Sequence, residues 1–278
     1  MAALRWCLSL WLLALAGVMS CACTAQEVVN NPADLASGKV LQLPEGVVKL
    51  SEFKVPSGAA VRGAGFDKTI IDAQGKDVAF ILDGVKNVTI SDLTIRNAGS
   101  AGIRVNNAGN VTIERVRVTG AVVGVGVNDA KNVTIANCII DGGNAGISLK
   151  NVSDSAVVNN TIARLGSTCL GLSDVTNSAV FNNLLADTST ATIVSGKSDG
   201  LVIDYNLYAC FAAGKVDGQI ARAWLATWRT VSGFDKHSVS TGVVFANAEN
   251  GDFTPVSMLS WQPGVSTISN WGVETLAR

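Results

Sequence analysis

The tetrapeptide Asn-Val-Thr-Ile occurs at Asn87–Ile90, Asn110–Ile113 and Asn132–Ile135, with first residues 23 and 22 apart. The series continues more weakly at Ser155-Ala156-Val157-Val158, Ser178-Ala179-Val180-Phe181 and Leu201-Val202-Ile203, at intervals of 23. A second series keeps the same phase: Gly102-Ile103-Arg104-Val105, Gly124-Val125-Gly126-Val127, Gly146-Ile147-Ser148-Leu149 and, loosely, Leu170-Gly171-Leu172. Asn137, Asn160, Asn183 and Asn206 form a third, each 23 apart. Every repeat therefore carries two or three short alternating apolar strands, punctuated by Gly, Asn, Asp and Ser.

Strands this short cannot bury a face within one repeat. Stacking the equivalent strands of successive repeats buries a continuous core. The period thus predicts an all-β chain: a right-handed parallel β-helix solenoid of about seven coils with short helical caps, its coils ~4.8 Å apart. Ile90, Ile113, Ile135, Val158 and Phe181 are expected to form one inward ladder, and the four asparagines another. A left-handed β-helix needs a six-residue pattern and a leucine-rich repeat needs a regular Leu scaffold; neither is present. The expected division is a signal at residues 1–25, the β-helix at 26–208 and a C-terminal cap at 209–278.

The first 25 residues resemble an export signal, with Arg5 before the short apolar run Trp6–Val18. Val18-Met19-Ser20-Cys21 is similar to a bacterial lipobox, which would make Cys21 the lipidated first residue; Cys23-Thr24-Ala25 offers an ordinary cleavage site instead. The expected location is extracytoplasmic, either tethered through an N-terminal lipid or secreted to the periplasm or beyond. No later stretch is long and apolar enough to span a bilayer. A net charge of −1 gives no electrostatic case for nucleic acid. Cys138, Cys169 and Cys210 are far apart in the folded body and odd in number, which points to free buried thiols, with one bridge possible. A monomer is expected.

Both ends of a solenoid expose strand edges and need caps. Pro32–Ser37 reads as a short capping helix at the start. Gln219–Val231 reads as a helix at the other end, with Trp224 and Trp228 sharing one face against the last coil. Phe245–Arg278 has no readable pattern.

The opening segment Val40-Leu41-Gln42-Leu43-Pro44-Glu45-Gly46, the stretch Gly63–Asp72 with its G-x-G and T-x-I-D elements, and the closing run Asp204-Tyr205-Asn206-Leu207-Tyr208 with Gly233–Ser238 together resemble the pectin-lyase-like right-handed β-helix superfamily. That resemblance implies cleavage, modification or binding of an acidic, uronate-containing polysaccharide. The signatures of its polygalacturonases (Asn-Thr-Asp, paired Asp, Gly-His-Gly), pectate lyases (Trp-x-Asp-His) and mannuronan epimerases (Asp-Pro-His) do not occur. Some lyases use only an Arg or Lys base, so the resemblance leaves an eliminating lyase open.

The sole histidine, His237, has no carboxylate partner evident in sequence and reads as structural. There is no Cys/His cluster for zinc, and the only nearby carboxylates for calcium are Asp141, Asp154, Asp174 and Asp187; no cofactor is expected. The period does assemble one constellation. Asn97, Thr119, Asp141, Arg164 and Asp187 should share an exposed turn row. Arg104, Gly126, Ser148 and Gly171 should form an outward strand column, and Asn106, Asn128, Lys150 and Ser173 the next. On this reading Arg104, Asn106, Asn128, Asp141 and Asp187 contact substrate, and Lys150 or Arg164 serves as base. Charges that alternate merely to avoid like-charge stacking explain the turn row equally well. Two functions follow: a polysaccharide lyase, or a non-catalytic, surface-tethered glycan-binding or structural solenoid.

Overall fold

A computed structural model describes residues 27–217, 219–221, 225–250 and 252–258. The expected signal, Cys21, Trp224 and residues beyond Met258 lie outside these. Within them the chain winds into a right-handed parallel β-helix of about eight coils. Each coil contributes to three parallel sheets. Sheet A includes Lys86–Ser91, Gly109–Glu114, Lys131–Ala136, Ala156–Val158, Ala179–Phe181 and Val202–Asp204. Sheet B includes Leu93–Arg96, Val116–Thr119, Ile139–Asp141, Thr161–Ala163, Leu184–Ala186 and Leu207–Ala209. Sheet C includes Val78–Asp83, Ala101–Asn106, Val123–Asn128, Ala145–Lys150, Thr168–Ser173 and Thr190–Ser195.

The inward ladder of sheet A runs Val61, Ile90, Ile113, Ile135, Val157, Val180 and Ile203, all buried. This corrects the expected ladder: Val158 and Phe181 sit one residue later and point outward. The step from Asn132 is 22 residues, to Asp154, and not 23, to Ser155. The reason lies in the backbone. Asn87, Asn110, Asn132, Asp154 and Asn177 all take left-handed conformations, with φ of 58°, 55°, 54°, 54° and 47°. Asn and Asp tolerate that region through local hydrogen bonding, whereas Ser offers less. Ser155 and Ser178 instead occupy the inward slot of Val88, Val111 and Val133, where Ser155 Oγ accepts from the Val133 amide at 2.9 Å.

A second correction concerns the asparagine series. Asn137 does not belong with Asn160, Asn183 and Asn206. It is left-handed (φ 54°), like Asn159 and Asn182 (φ 56° and 55°), and Cys138 takes the inward slot of its coil. From Asn160 onward the inward amides form a fully buried ladder at the A–B corner. Asn160 Nδ2 donates to Asn183 Oδ1 and to Ile135 O, both at 3.0 Å, and Asn183 Nδ2 donates to Asn206 Oδ1 and Val157 O, also at 3.0 Å. Each amide thus satisfies the carbonyl that the corner removes from the sheet ladder. Burial pushes the Cys138 thiol up to about 12, so it remains a protonated donor.

The glycines of the second series are packing residues as well as punctuation. A Cβ on Gly102, Gly124 or Gly146 would lie 2.4–2.5 Å from Val118, Ile140 or Ile162. Each bare Cα lets sheet C start hard against the inward aliphatics of sheet B.

The ends are closed as a solenoid requires. At the start the strand Glu27–Val29 pairs with Lys39–Leu41 and covers the first coil's edge, and the helix expected over Pro32–Ser37 is only a 3-10 turn at Pro32–Asp34 that buries none of its residues. At the far end Gln219–Ala221 is not helical, as the sequence suggested, but a strand pairing antiparallel with Gly214–Val216; the helix spans only Leu225–Ser232. The fully buried Trp228 indole lies over Gly214. Its Nε1 donates to Asp235 Oδ2 at 2.7 Å, as does the Tyr208 hydroxyl at 2.7 Å. Asn206 Nδ2 reaches Asp235 Oδ1 at 3.3 Å, and Ser238 Oγ donates to the same oxygen. Asp235 therefore terminates the amide ladder. Burial pushes its carboxyl up, and the donors from Ser238, Trp228, Tyr208 and Asn206 pull against that.

Register predicts a contrast between neighbours. Asn183→Ala orphans buried groups on two coils and should lower stability by about 2–3 kcal/mol. Asn182→Ala, a left-handed exposed position, should cost about 1 kcal/mol. Urea denaturation of the two variants checks the order.

Candidate functional site

Alternation along the strands of sheet C sends every second side chain outward. One outward column reads Ile81, Arg104, Gly126, Ser148, Gly171 and Ile193; the next reads Asp83, Asn106, Asn128, Lys150, Ser173 and Ser195. These are the columns the period predicted. Asn128 Nδ2 donates to Asn106 Oδ1 at 3.0 Å, which holds the two amides in line along the axis. Arg104 Nη1 lies 3.1 Å from Asp77 Oδ2. Lys150 is exposed, and no ion-pair partner lies within reach among the described residues. Beyond Arg104 in its own column, Gly126, Ser148 and Gly171 leave a strip of low relief beside the Asn106–Asn128–Lys150 column, where a chain of sugars can approach the backbone.

The turn row is different from expectation. Thr119 pairs with Asp141 and Asp141 with Ala163, so Asp141 ends a strand of sheet B. Arg164 and Asp187 occupy the following left-handed position, with φ of 57° and 48°, and their counterpart one coil earlier is Gly142. Asp141, Arg164 and Asp187 do not form one exposed row. The Asp141 side chain is 2% exposed and is enclosed by two arginines: Arg117 Nε is 3.1 Å from Oδ1 and Arg164 Nη2 is 2.6 Å from Oδ2.

What encloses them is a segment with no readable sequence pattern. Val243–Asn247 and Asp252–Met258 form an antiparallel hairpin. Phe253, 2% exposed, joins Ile139, Ala163, Leu184, Ala186, Leu207 and Val239 in one apolar cluster. Ile139, Leu184 and Leu207 point outward from sheet B, so the hairpin is a lid on that sheet. The Arg164 and Arg117 guanidiniums lie 5.0 and 5.7 Å from the Phe253 ring centroid, and Arg164 Nη1 is 3.7 Å from Glu249. Arg164 is thus committed on three sides, to Asp141, Phe253 and Glu249. That arrangement ties the lid to sheet B and keeps Arg164 a paired cation rather than a base, its Nε alone buried without a hydrogen-bond partner among the described residues. Asp187 remains exposed at the B–C turn.

His237, read as lacking a partner, has one. Its Nδ1 lies 2.6 Å from Asp204 Oδ2, and its ring stacks on Tyr205 at 4.8 Å between centroids and 13° between planes. The pairing was invisible to the period because the last coil is lengthened by the helix and the terminal strand pair: Leu207 pairs with Val239, 32 residues on. Among the described residues no three of His, Cys, Asp or Glu converge as metal ligands.

A family model described as a right handed beta helix region matches residues 78–214. The chain is a right-handed parallel β-helix protein. Solved structures share the solenoid. A 1,3-α-1,4-β-D-galactose-4-sulfate-3,6-anhydro-D-galactose-2-sulfate 4 galactohydrolase is 13% identical, over 74% of this chain and 61% of its own, with a TM-score of 0.55. An iota-carrageenase of family GH82 from A. fortis is 13% identical over 65% and 50%, with a TM-score of 0.53. The Agl-KA catalytic domain is 20% identical over 79% and 45%, again with a TM-score of 0.53. This β-helix protein therefore spans about half of the structures it matches, and at these identities the likeness is one of fold. No curated protein matches the sequence.

In this β-helix protein Asp141→Ala leaves two arginines facing a buried void and should lower stability by about 3 kcal/mol. Lys150→Ala and Asp187→Ala should stay within about 0.5 kcal/mol of the parent. Denaturant midpoints at one protein concentration measure all three.

Proposed function

We propose that this chain is an extracytoplasmic protein that binds an acidic, uronate-containing polysaccharide across the coils of sheet C. One observation carries the reading. The outward columns of sheet C present Arg104 and Lys150, the amides of Asn106 and Asn128, and the low-relief strip Gly126–Ser148–Gly171 in strict register, while sheet B lies under the hairpin. A coil rise of ~4.8 Å is close to the length of one pyranose, so successive sugars meet equivalent positions. Arg104 and Lys150 supply charge for carboxylates, and Asp187 at the adjoining turn orients hydroxyls. The solved neighbours named as an iota-carrageenase complexed to iota-carrageenan fragments and as an α-1,3-glucanase in complex with tetrasaccharides support a polysaccharide as ligand.

A second reading, β-elimination of the same polymer, rests on Lys150, which is exposed in the column beside the strip, on the same coil as Ser148; Arg164 is not carried forward as a base, because its guanidinium is engaged with Asp141 and Glu249. We further propose that the chain is a monomer tethered through Cys21 or secreted. The antiparallel strand Gln219–Ala221, which covers the sheet C edge, supports the monomer.

Calorimetric titration with polygalacturonate and alginate oligomers tests the main reading. Arg104→Ala and Lys150→Ala should each weaken binding about two- to five-fold, additively and less at high salt. Unchanged affinity in both variants rules sheet C out. Ultraviolet absorbance from unsaturated sugar ends, lost in Lys150→Ala, would establish the lyase reading. The mass of the mature N terminus reports lipid on Cys21.

A further inference from the structure

From Asp92 onward the corner between sheets A and B carries a left-handed residue on each coil, Asp92 and Arg115 (φ 60° and 50°) coming first. In three successive coils it is an asparagine: Asn137, Asn159 and Asn182. On the next coil it is Tyr205, at φ 55°. Asn accepts this conformation readily, whereas a bulky residue is strained there by about 1–3 kcal/mol. The strain holds a ring out from the surface: Tyr205 is 48% exposed. Phe181 approaches it at 6.3 Å and His237 stacks on it at 4.8 Å, so three rings form a column along the solenoid axis. Val202, 49% exposed, flanks them on sheet A.

Asp204 has two separate tasks. Its Oδ1 accepts the Tyr205 amide at 2.9 Å and the His237 amide at 2.7 Å, which fixes the corner. Its Oδ2 meets His237 Nδ1 at 2.6 Å, a contact the corner does not require. That contact places a proton on Nδ1 and leaves Nε2 facing outward on a ring whose side chain is 59% exposed. An aromatic column with an oriented ring nitrogen and a phenol is the chemistry that holds a sugar, with apolar C–H faces on the rings and hydroxyls on the polar atoms.

We propose that Phe181, Asp204, Tyr205 and His237 form a second saccharide-binding site, at the A–B corner, in which His237 Nε2 hydrogen-bonds a sugar hydroxyl and the Tyr205 hydroxyl bonds its neighbour. The ligand class is a pyranose within a polysaccharide chain, and the asparagines at 182 and 159 continue the site along the axis. This rests on the reading that the solenoid binds polysaccharide, but not on sheet C being where it does so.

His237 is the only histidine in the chain, so nitrogen NMR of the full protein reads the site without mutation. The free protein should show one imidazole with its proton on Nδ1. Asp204→Asn keeps the Oδ1 acceptor but donates an N–H to the ring, and should move the proton to Nε2. Galacturonate and neutral gluco-oligosaccharides are the probes. Saturating oligomer should shift the Nε2 resonance, and His237→Phe, which retains the stack, should weaken binding at this site at least fivefold. The shift should persist in the Arg104→Ala, Lys150→Ala double variant. No change at His237 while Arg104 and Lys150 still respond overturns this site and leaves the sheet C reading standing. A shift at His237 without any response at sheet C does the reverse. No response to any oligomer at either surface overturns both.

Discussion

Everything in this molecule depends on turning the A–B corner without a helix or a long loop. A chain that reverses direction this sharply needs one residue in the left-handed region, and it leaves backbone groups without sheet partners. Asn and Asp supply the first requirement on four coils and Arg115 and Tyr205 on two, and from Asn160 onward the inward amides of Asn160, Asn183 and Asn206 supply the second. From Asn160 onward each amide bonds the one on the next coil, so there the corner fixes register as well as direction. The aliphatic ladders follow from it: Ile135 meets Val157 because Asn137 and Asn159 stand at equivalent corners.

With register fixed, the three outer faces acquire different fates. Sheet B is apolar outside and needs a lid, which the C-terminal hairpin provides through Phe253, Arg164 and Glu249. Sheet C is low and polar through its middle coils, with Arg104 and Lys150 two coils apart in adjacent columns. Sheet A ends in a short aromatic column that its earlier coils lack. A fold of this kind offers long, regular surfaces, and specificity arises where one coil departs from its neighbours, as Lys150 departs from Asn106 and Asn128, and Tyr205 from Asn182.

The sequence made the architecture and sheet C legible because both follow from local alternation repeated at a fixed period. The columns through Arg104 and Asn106 needed only the Gly-Ile-x-Val series to be aligned. It misled where two polar residues stood side by side. Matching Ser155 to Asn132 shifted the sheet A ladder to Val158, and counting 23 back from Arg164 put Asp141 in a turn when it closes a strand; only backbone conformation separates such neighbours. Long-range contacts were not readable at all. Nothing in the repeat announces that residues 243–258 fold back over Ile139, or that a coil lengthened to 32 residues brings His237 onto Asp204.

Cross-linking by paired cysteines tests the register most directly. Thr134 and Ala156 are partners on the outer face of sheet A, so their Cα atoms lie about 4.8 Å apart, inside the ~4.4–6.8 Å range a disulfide accepts. Under mild oxidation, with linkage read by peptide mapping, a Thr134→Cys, Ala156→Cys variant should cross-link nearly completely. A Thr134→Cys, Val157→Cys variant, whose side chains face opposite sides of the sheet, should not. Efficient linkage of the second pair, or its absence in the first, would contradict the stacking from which both proposed sites are drawn.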